Sequence, residues 1–118
     1  MRTSLLVSTL FAVPLLLGST AARADDAIDG GKAFRSKCAS CHGADGHGKT
    51  KQGEKMKIRS LTDPEIKKEL TDEKIKETIN KGLVKTLPDG TKQEMKPLEG
   101  KLKPGELEAL VAHVKTIK

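Results

Sequence analysis

The sequence predicts a small all-α domain in which three to four short helices are separated by long loops. Apolar residues recur at helical spacing in several stretches, and no stretch alternates apolar and polar residues as a half-buried strand does. Glycine, lysine and proline are concentrated between those stretches, a composition typical of loops. The 118 residues are enough for one domain.

Residues 1–24 have the pattern of a cleavable export signal. A basic start at Arg2 precedes an apolar run over residues 5–17, and Ala22-Arg23-Ala24 provides small residues at the two positions that a signal peptidase reads. The run is shorter than the roughly 20 residues that span a bilayer, so an uncleaved anchor is the weaker alternative. We expect export to the periplasm and a mature domain over residues 25–118 that is not inserted in the membrane.

The mature chain is expected to begin with a helix over residues 25–37. Acidic residues such as Asp29 near its start suit the positive end of the helix dipole. Gly30 and Gly31 each weaken a helix by about 1 kcal/mol relative to alanine. We interpret this cost as a sign that another backbone crosses closely here, and a frayed helix start is the alternative.

The helix leads into Cys38-Ala39-Ser40-Cys41-His42, a pattern typical of covalent haem attachment. Each thiol adds across one vinyl group of the porphyrin, so the two cysteines must reach neighbouring edges of one flat ring. His42 can then turn under the ring and bind the iron from the proximal side. A zinc site would need two more nearby ligands, and the chain has no further cysteine. A thioredoxin-like redox pair would need a βαβ pattern, which the sequence lacks.

A glycine- and lysine-rich loop is predicted after the motif, over residues 43–57. It is long enough to wrap the proximal side of the ring below His42. We expect His47, which lies in this loop, to be a solvated side chain and not an iron ligand. Further on, Asp63 and Pro64 are typical of a helix start, with aspartate as the N-cap and proline at the first helical position.

The second half of the chain is expected to contain two more helices. Thr71 caps a helix over residues 72–81, and Gly82 ends it. Residues 83–103 carry the turn residues of a second structured loop. Pro104 opens a final helix whose apolar residues repeat at 3.6-residue spacing, the clearest amphipathic pattern in the chain.

The second axial ligand of the iron is expected to be a thioether or an imidazole. Besides His42, the mature chain offers four such side chains, Met56, Met95, His47 and His113. A lysine is a less favoured candidate. Met95 is favoured because its loop can return over the opposite ring face, and Pro97 restricts the backbone beside it. Met56 is expected to be a core side chain beside the haem. His113 falls on the apolar face of the last helix, where a hydrogen-bonded core histidine is the default.

The mature chain is poor in large apolar side chains. By count, 20 of its 94 residues are Ile, Leu, Val, Phe or Met, which is close to the limit below which chains stay unfolded. A bound porphyrin would add apolar surface, at about 25 cal/mol for each Å² buried. We therefore expect the haem-free chain to be largely unfolded.

The net charge of the chain is +6, and about +4 remains once Arg2 and Arg23 are removed with the signal. Dispersed lysines favour docking on redox partners with acidic faces, although solubility alone explains them equally well. The charge is too dispersed to indicate nucleic acid. We expect a monomer.

Taken together, these residues resemble the small soluble class I cytochromes c of the bacterial monohaem type, over residues 28–117. The resemblance depends on Gly30 and Phe34 before the motif, on residues 43–46 after it, on Met95 and on the terminal helix. It implies that Gly30 and Phe34 pack against that terminal helix.

The resemblance also implies the cytochrome c fold, with short helices and long loops wrapped around one covalent haem c. Cys38 and Cys41 would form the thioether links, and His42 and Met95 would be the axial iron ligands. The implied role is that of an electron shuttle in the periplasm.

Three positions depart from the pattern of that family. His113 stands where an aromatic residue is usual, so the contact of the last helix is expected to be weaker or more sensitive to pH. Arg59 stands where proline is common, and we expect a backbone carbonyl to fix the tautomer of His42. Arg59 is also a candidate donor to the haem propionates. Lys96 follows Met95 where proline is common.

Three functions are therefore compatible with these residues. A diffusible one-electron carrier is favoured, because histidine and methionine together fill both axial positions and leave none for oxygen or peroxide. The alternative is a haem enzyme or ligand sensor in which Met95 dissociates to open the iron site. A thiol–disulfide oxidoreductase that uses Cys38 and Cys41 without haem is the third.

Overall fold

The computed structural model describes residues 27–118. The predicted signal peptide, residues 1–24, and the first two residues of the predicted first helix lie outside that part of the chain. The described elements are helices and one two-stranded sheet, with the bounds α1 Gly30–Lys37, α2 Ala39–His42, α3 Lys51–Lys55, α4 Pro64–Glu69, α5 Asp72–Lys81, β1 Leu83–Thr86, β2 Lys92–Met95 and α6 Glu106–Thr116. None of the described helices is long and apolar enough to cross a membrane.

The predicted caps of α4 and α5 are confirmed. The Asp63 carboxylate accepts a hydrogen bond from the Glu65 N–H at 2.9 Å, and the Thr71 hydroxyl accepts one from the Lys74 N–H at 3.2 Å. These bonds satisfy N–H groups that have no partner inside the helix. Gly82 ends α5 with a φ of 72°, a conformation that favours glycine.

The first helix and the loop after the motif differ from the prediction. α1 begins at Gly30 and not at residue 25, because the Asp29 side chain accepts from an N–H of the first turn and caps the helix from outside. The predicted loop over residues 43–57 contains α3, which the Thr50 hydroxyl caps. The described chain therefore has six helical segments where three to four were expected, and two of them, α2 and α3, are about one turn long.

The expectation that no strand forms is wrong, because residues 83–95 fold into an antiparallel hairpin. β1 pairs with β2 in a register that sets Leu83 opposite Met95. All four residues of β1 are exposed, and the partly buried positions of β2 are Gln93 and Met95. Since one strand has no buried face and the other buries a polar residue, the apolar–polar alternation of a half-buried strand is missing.

Helices α1 and α6 cross at a glycine. A Cβ atom built on Gly30 would lie 2.2 Å from the carbonyl oxygen of Ala109, so the predicted close approach of another backbone is confirmed. Phe34 is 1 % exposed and Leu110 is fully buried. The ring of His113 lies 5.1 Å from the ring of Phe34, centroid to centroid, and thus takes the place of an aromatic partner.

Gly30→Ala should lower the free energy of unfolding by about 1–3 kcal/mol, because the added methyl group meets backbone atoms and forces the two helices apart. Gly31→Ala is the matched control. Its Cβ would meet only side-chain atoms, at 3.2 Å or farther, and alanine favours the helix by about 1 kcal/mol. Chemical denaturation of both variants measures the difference. Equal losses of stability would contradict the close crossing.

Candidate functional site

A cleft lies beside the α1–α6 crossing and is lined by residues from the helical motif, α5, α6 and the hairpin. It contains about 540 Å³ of empty space, part of it open to solvent. Three of the four predicted site residues, Cys38, His42 and Met95, line this cleft. Its other walls are mostly apolar, and some of the lining side chains, such as Phe34 and Ile75, also belong to the buried core.

The cysteine–histidine motif lies at the junction of two helices. Cys38 is the C-cap of α1, and its N–H donates to the carbonyl of Phe34 at 2.8 Å. α2 begins at the next residue. The N–H of His42 donates to the carbonyl of Cys38 at 2.9 Å, so one helical turn brings both side chains to the cleft. Cys41 is half-buried and is not among the lining residues. No disulfide joins the two cysteines in the described chain, and burial raises the pKa of the Cys38 thiol to about 11.

The imidazole of His42 lies largely buried at the cleft. Burial lowers its pKa, which favours the neutral ring, the form that binds metals. Its Nδ1 atom is buried and has no hydrogen-bond partner among residues 27–118. The expectation that a backbone carbonyl accepts a hydrogen bond from this ring is therefore wrong for the described chain. A buried ring nitrogen without a protein partner suits a residue that serves a bound group.

The loop after the motif is tied to the end of α2. The Thr50 hydroxyl donates to the carbonyl of Cys41 at 2.8 Å and accepts from the Gly53 N–H at 2.9 Å. The Gly48 N–H donates to the carbonyl of His42 at 2.7 Å. A Cβ atom on Gly53 would lie 2.2 Å from the Gly48 carbonyl oxygen, so this packing requires glycine. The loop thereby fixes the backbone that carries the second cysteine and the histidine.

Met95 reaches the cleft from the end of β2. It is half-buried, and its carbonyl oxygen would lie 2.4 Å from a Cβ atom on Gly82, so the end of the hairpin packs on the end of α5. Met56 is also buried, at 9 % exposure, but it does not line the cleft. Of the two thioethers in the described chain, Met95 is therefore the one that shares a cleft with His42.

The other two histidines do not line the cleft. The expectation that His47 is solvated is wrong, because this residue is half-buried and its Nδ1 lies 3.3 Å from the Ser60 hydroxyl oxygen. The loop folds back on itself here, with the Leu61 N–H donating to the Gly46 carbonyl at 2.8 Å. His113 is half-buried in the contact between α1 and α6.

Two polar lining residues, Lys74 and Thr78, were missed by the sequence analysis. They lie one turn apart on α5, next to the predicted apolar stripe that includes Ile75, and this i, i+4 spacing is the signal that could have found them. Arg59, the candidate donor to cofactor carboxylates, instead pairs with Asp63 at 2.7 Å. Among the lining residues of the described chain, Lys74 is the cation that could pair with acidic groups of a bound cofactor.

The arrangement suits a flat and largely apolar cofactor that carries a metal. Imidazole nitrogen and thioether sulfur are a ligand pair of haem iron, and His42 and Met95 supply both at one cleft. The Cys38 thiol, at the same cleft, can form a covalent link, and apolar side chains can cover the faces of the ring. The residues present therefore fit a haem.

Comparisons with known proteins agree with this chemistry. The family model described as Cytochrome c matches residues 27–118. Among solved structures, the chain is similar to the KustC0563 c-type cytochrome, with 38 % identity and a TM-score of 0.61 over 77 % of this chain and 99 % of that chain. It is also similar to a tyrosine-to-phenylalanine mutant of that cytochrome, with 40 % identity and a TM-score of 0.60 over 77 % of this chain and 100 % of that chain. No curated protein sequence matches the chain.

Thr50→Val should lower the free energy of unfolding by about 1 kcal/mol, because it removes both the cap of α3 and the donor to the Cys41 carbonyl at nearly constant volume. Thr50→Ser keeps the hydroxyl and is the control, expected within about 0.5 kcal/mol of the wild type. Denaturant titration measures both. If serine costs as much as valine, the hydroxyl does not hold the loop.

Proposed function

Because the chain belongs to the cytochrome c family, we propose that it is a one-electron carrier between redox proteins of the periplasm. The protein is a haem c-type cytochrome, and haem c is bound covalently in this family. The observation that carries the proposal is that Met95 lines the same apolar cleft as Cys38 and His42, although it lies more than 50 residues further along the chain.

In this proposal Cys38 and Cys41 form the two thioether links. The backbone of α2 supports this role, since it turns within four residues from one cysteine through the other to His42. Cys41 is half-buried, so its link would need a ring edge that lies beside the motif. The Thr50 hydroxyl donates to the carbonyl of Cys41 and the Gly48 N–H donates to the carbonyl of His42, and these hydrogen bonds hold the turn.

His42 and Met95 are the proposed axial ligands. Burial favours the neutral imidazole that ligation needs, and the hairpin supplies the thioether at the same cleft. When bound, the haem supplies an iron that changes between the ferric and ferrous states and so takes up or gives up one electron. Thioether ligation raises the reduction potential relative to two histidines.

The same ligand pair favours a carrier over a haem enzyme or sensor. With His42 and Met95 both holding the iron, the protein leaves no axial position for oxygen or peroxide. Met95 has a fixed backbone, paired to β1 and packed on Gly82, which opposes its dissociation. The chain therefore has the features of a site that exchanges electrons without binding a substrate.

Exposed lysines support the proposal that the redox partners have acidic docking faces. The exposed lysines that form no salt bridge within residues 27–118 include Lys49, Lys51, Lys55, Lys85, Lys92, Lys96 and Lys101. Uncompensated positive charge attracts an acidic partner over a distance of about 10 Å at moderate salt, so the association rate should fall as salt is added. The predicted export signal in residues 1–24 supports the periplasm as the compartment.

The decisive experiment for this proposal measures whether Met95→Ala loses the bond between the iron and the thioether. The ferric wild type should show the weak long-wavelength absorption of an iron–sulfur bond, and Met95→Ala should lose it and bind added cyanide much faster. Met56→Ala is the matched control, because it removes the other described thioether outside the cleft and should keep the absorption.

Three results would contradict the proposal. If the absorption survives in Met95→Ala and disappears in Met56→Ala, the ligand is Met56. If the unmodified protein binds cyanide or carbon monoxide rapidly, its iron site is open, as in an enzyme or sensor. A mass measured on denatured protein that lacks covalent haem would instead favour the thiol–disulfide function.

A further inference from the structure

The orientation of Met95 depends on how β2 is held, because β1 gives the hairpin no contact with the core. All residues of β1 are exposed, with Val84 at 77 % exposure. β2 alternates exposed and partly buried residues, and the partly buried ones are Gln93 and Met95. Residues two apart in a strand point to the same side. Whatever fixes the inner face of β2 at Gln93 therefore also fixes the direction of the methionine.

The Gln93 side chain makes two hydrogen bonds to a separate part of the fold. Its Nε2 donates to the carbonyl of Met56 at 3.1 Å and to the carbonyl of Lys57 at 2.9 Å. These carbonyls follow α3, at a corner where Lys57 has a φ of 51°. A primary amide has two N–H donors, so both are used and both acceptors are satisfied. The amide links the strand of Met95 to the corner after α3.

The hairpin has other attachments. The Met95 backbone packs on Gly82 at the end of α5, but this contact involves no side-chain hydrogen bond. The Lys57 ammonium pairs with Asp89 at the hairpin turn, yet both side chains are about half exposed, and such pairs contribute little. Beyond Met95, the Leu98 N–H donates to the Ile79 carbonyl at 2.9 Å and ties the following segment to α5. Within the described chain, Gln93 is therefore the residue whose side-chain hydrogen bonds hold β2 itself. It precedes Met95 along the chain, whereas the backbone hydrogen bond of Leu98 follows Met95.

We propose that Gln93 is a positioning residue that holds the Met95 thioether toward the iron by clamping β2 to the carbonyls of Met56 and Lys57. The inference rests on the proposed function, since it presupposes that Met95 is the axial ligand. The clamp also ties the backbone of Met56, the competing thioether, to the strand that carries Met95. Losing the amide should loosen the iron–thioether bond without removing either ligand.

The test is displacement of the thioether by added imidazole in the ferric holoprotein, followed at the long-wavelength absorption. Gln93→Leu keeps most of the side-chain volume but removes both donors. We expect its apparent affinity for imidazole to rise by about tenfold, since the bound methionine no longer gains from two hydrogen bonds that hold its strand. The reduction potential should fall as well, because thioether ligation raises it.

A rescue and a matched control separate positioning from general loss of stability. Gln93→Arg restores N–H donors on a side chain that keeps its proton and has no lone pair for the iron, and it should return the imidazole affinity toward the wild-type value. Gln52→Leu makes the same exchange at an exposed position of α3 and should leave the affinity unchanged. If Gln93→Leu yields no holoprotein, Gln93→Ala is measured in the same way with the same expected rise.

The outcomes distinguish this inference from the proposed function. If the wild type lacks the long-wavelength absorption, the assignment of Met95 as ligand fails and this inference fails with it. If the wild type shows the absorption but Gln93→Leu keeps wild-type imidazole affinity, only the positioning role is overturned. Equal rises in Gln93→Leu and Gln52→Leu, or no recovery in Gln93→Arg, also overturn it.

Discussion

The apolar cleft between the cysteine–histidine motif and the hairpin is the constraint on which the rest of the structure depends. The chain has few large apolar side chains, and several of those that are buried, among them Phe34 and Leu110, also line this cleft. Phe34 and Leu110 are already buried, but Leu61, Leu70 and Met95 line the cleft while still half-buried, so a bound ring would cover apolar surface that they expose. The haem of this family is therefore a component of the core as well as the redox centre, which explains how a domain with one aromatic ring besides its histidines can fold.

The two sides of the cleft differ in how the chain forms them. The wall with the motif is local: one helical turn joins Cys38 to His42, and the loop that follows holds the carbonyls at the end of α2. The wall with Met95 is a hairpin whose outer strand is exposed and whose inner strand is held by a few contacts to distant elements. A rigid site opposes rearrangement when the oxidation state changes. In this molecule, that rigidity depends most on the contacts of the methionine strand.

The sequence predicted the motif, the caps of α4 and α5, and the close approach at Gly30, because each follows from local chemistry. A cap needs one side chain at a fixed offset, and a glycine inside a helix has a recognisable cost. The hairpin could not be predicted from alternation, since β1 is exposed throughout and Gln93 takes an inward position. The burial of His47 and the unpartnered Nδ1 of His42 depend on how loops fold back, which spacing along the chain does not encode.

The position of Lys74 in the cleft is another feature that the sequence could not predict. A lysine beside an apolar stripe on α5 has the pattern of a solvated helix position, and only the tertiary arrangement makes it part of the cleft. The place of Met95 along the chain favours it over Met56, and the described structure places Met95 in the cleft with His42. The position along the chain is enough to predict that placement, whereas the identity of the other lining residues depends on the fold.

Amide hydrogen exchange of the holoprotein and of the haem-free Cys38→Ser/Cys41→Ser chain tests most directly whether the haem completes the core. The account predicts strong protection in α1, α5 and α6 of the holoprotein, and exchange close to that of an unfolded chain when the haem is missing. A haem-free chain that is compact and protects those three helices as well as the holoprotein does would contradict it.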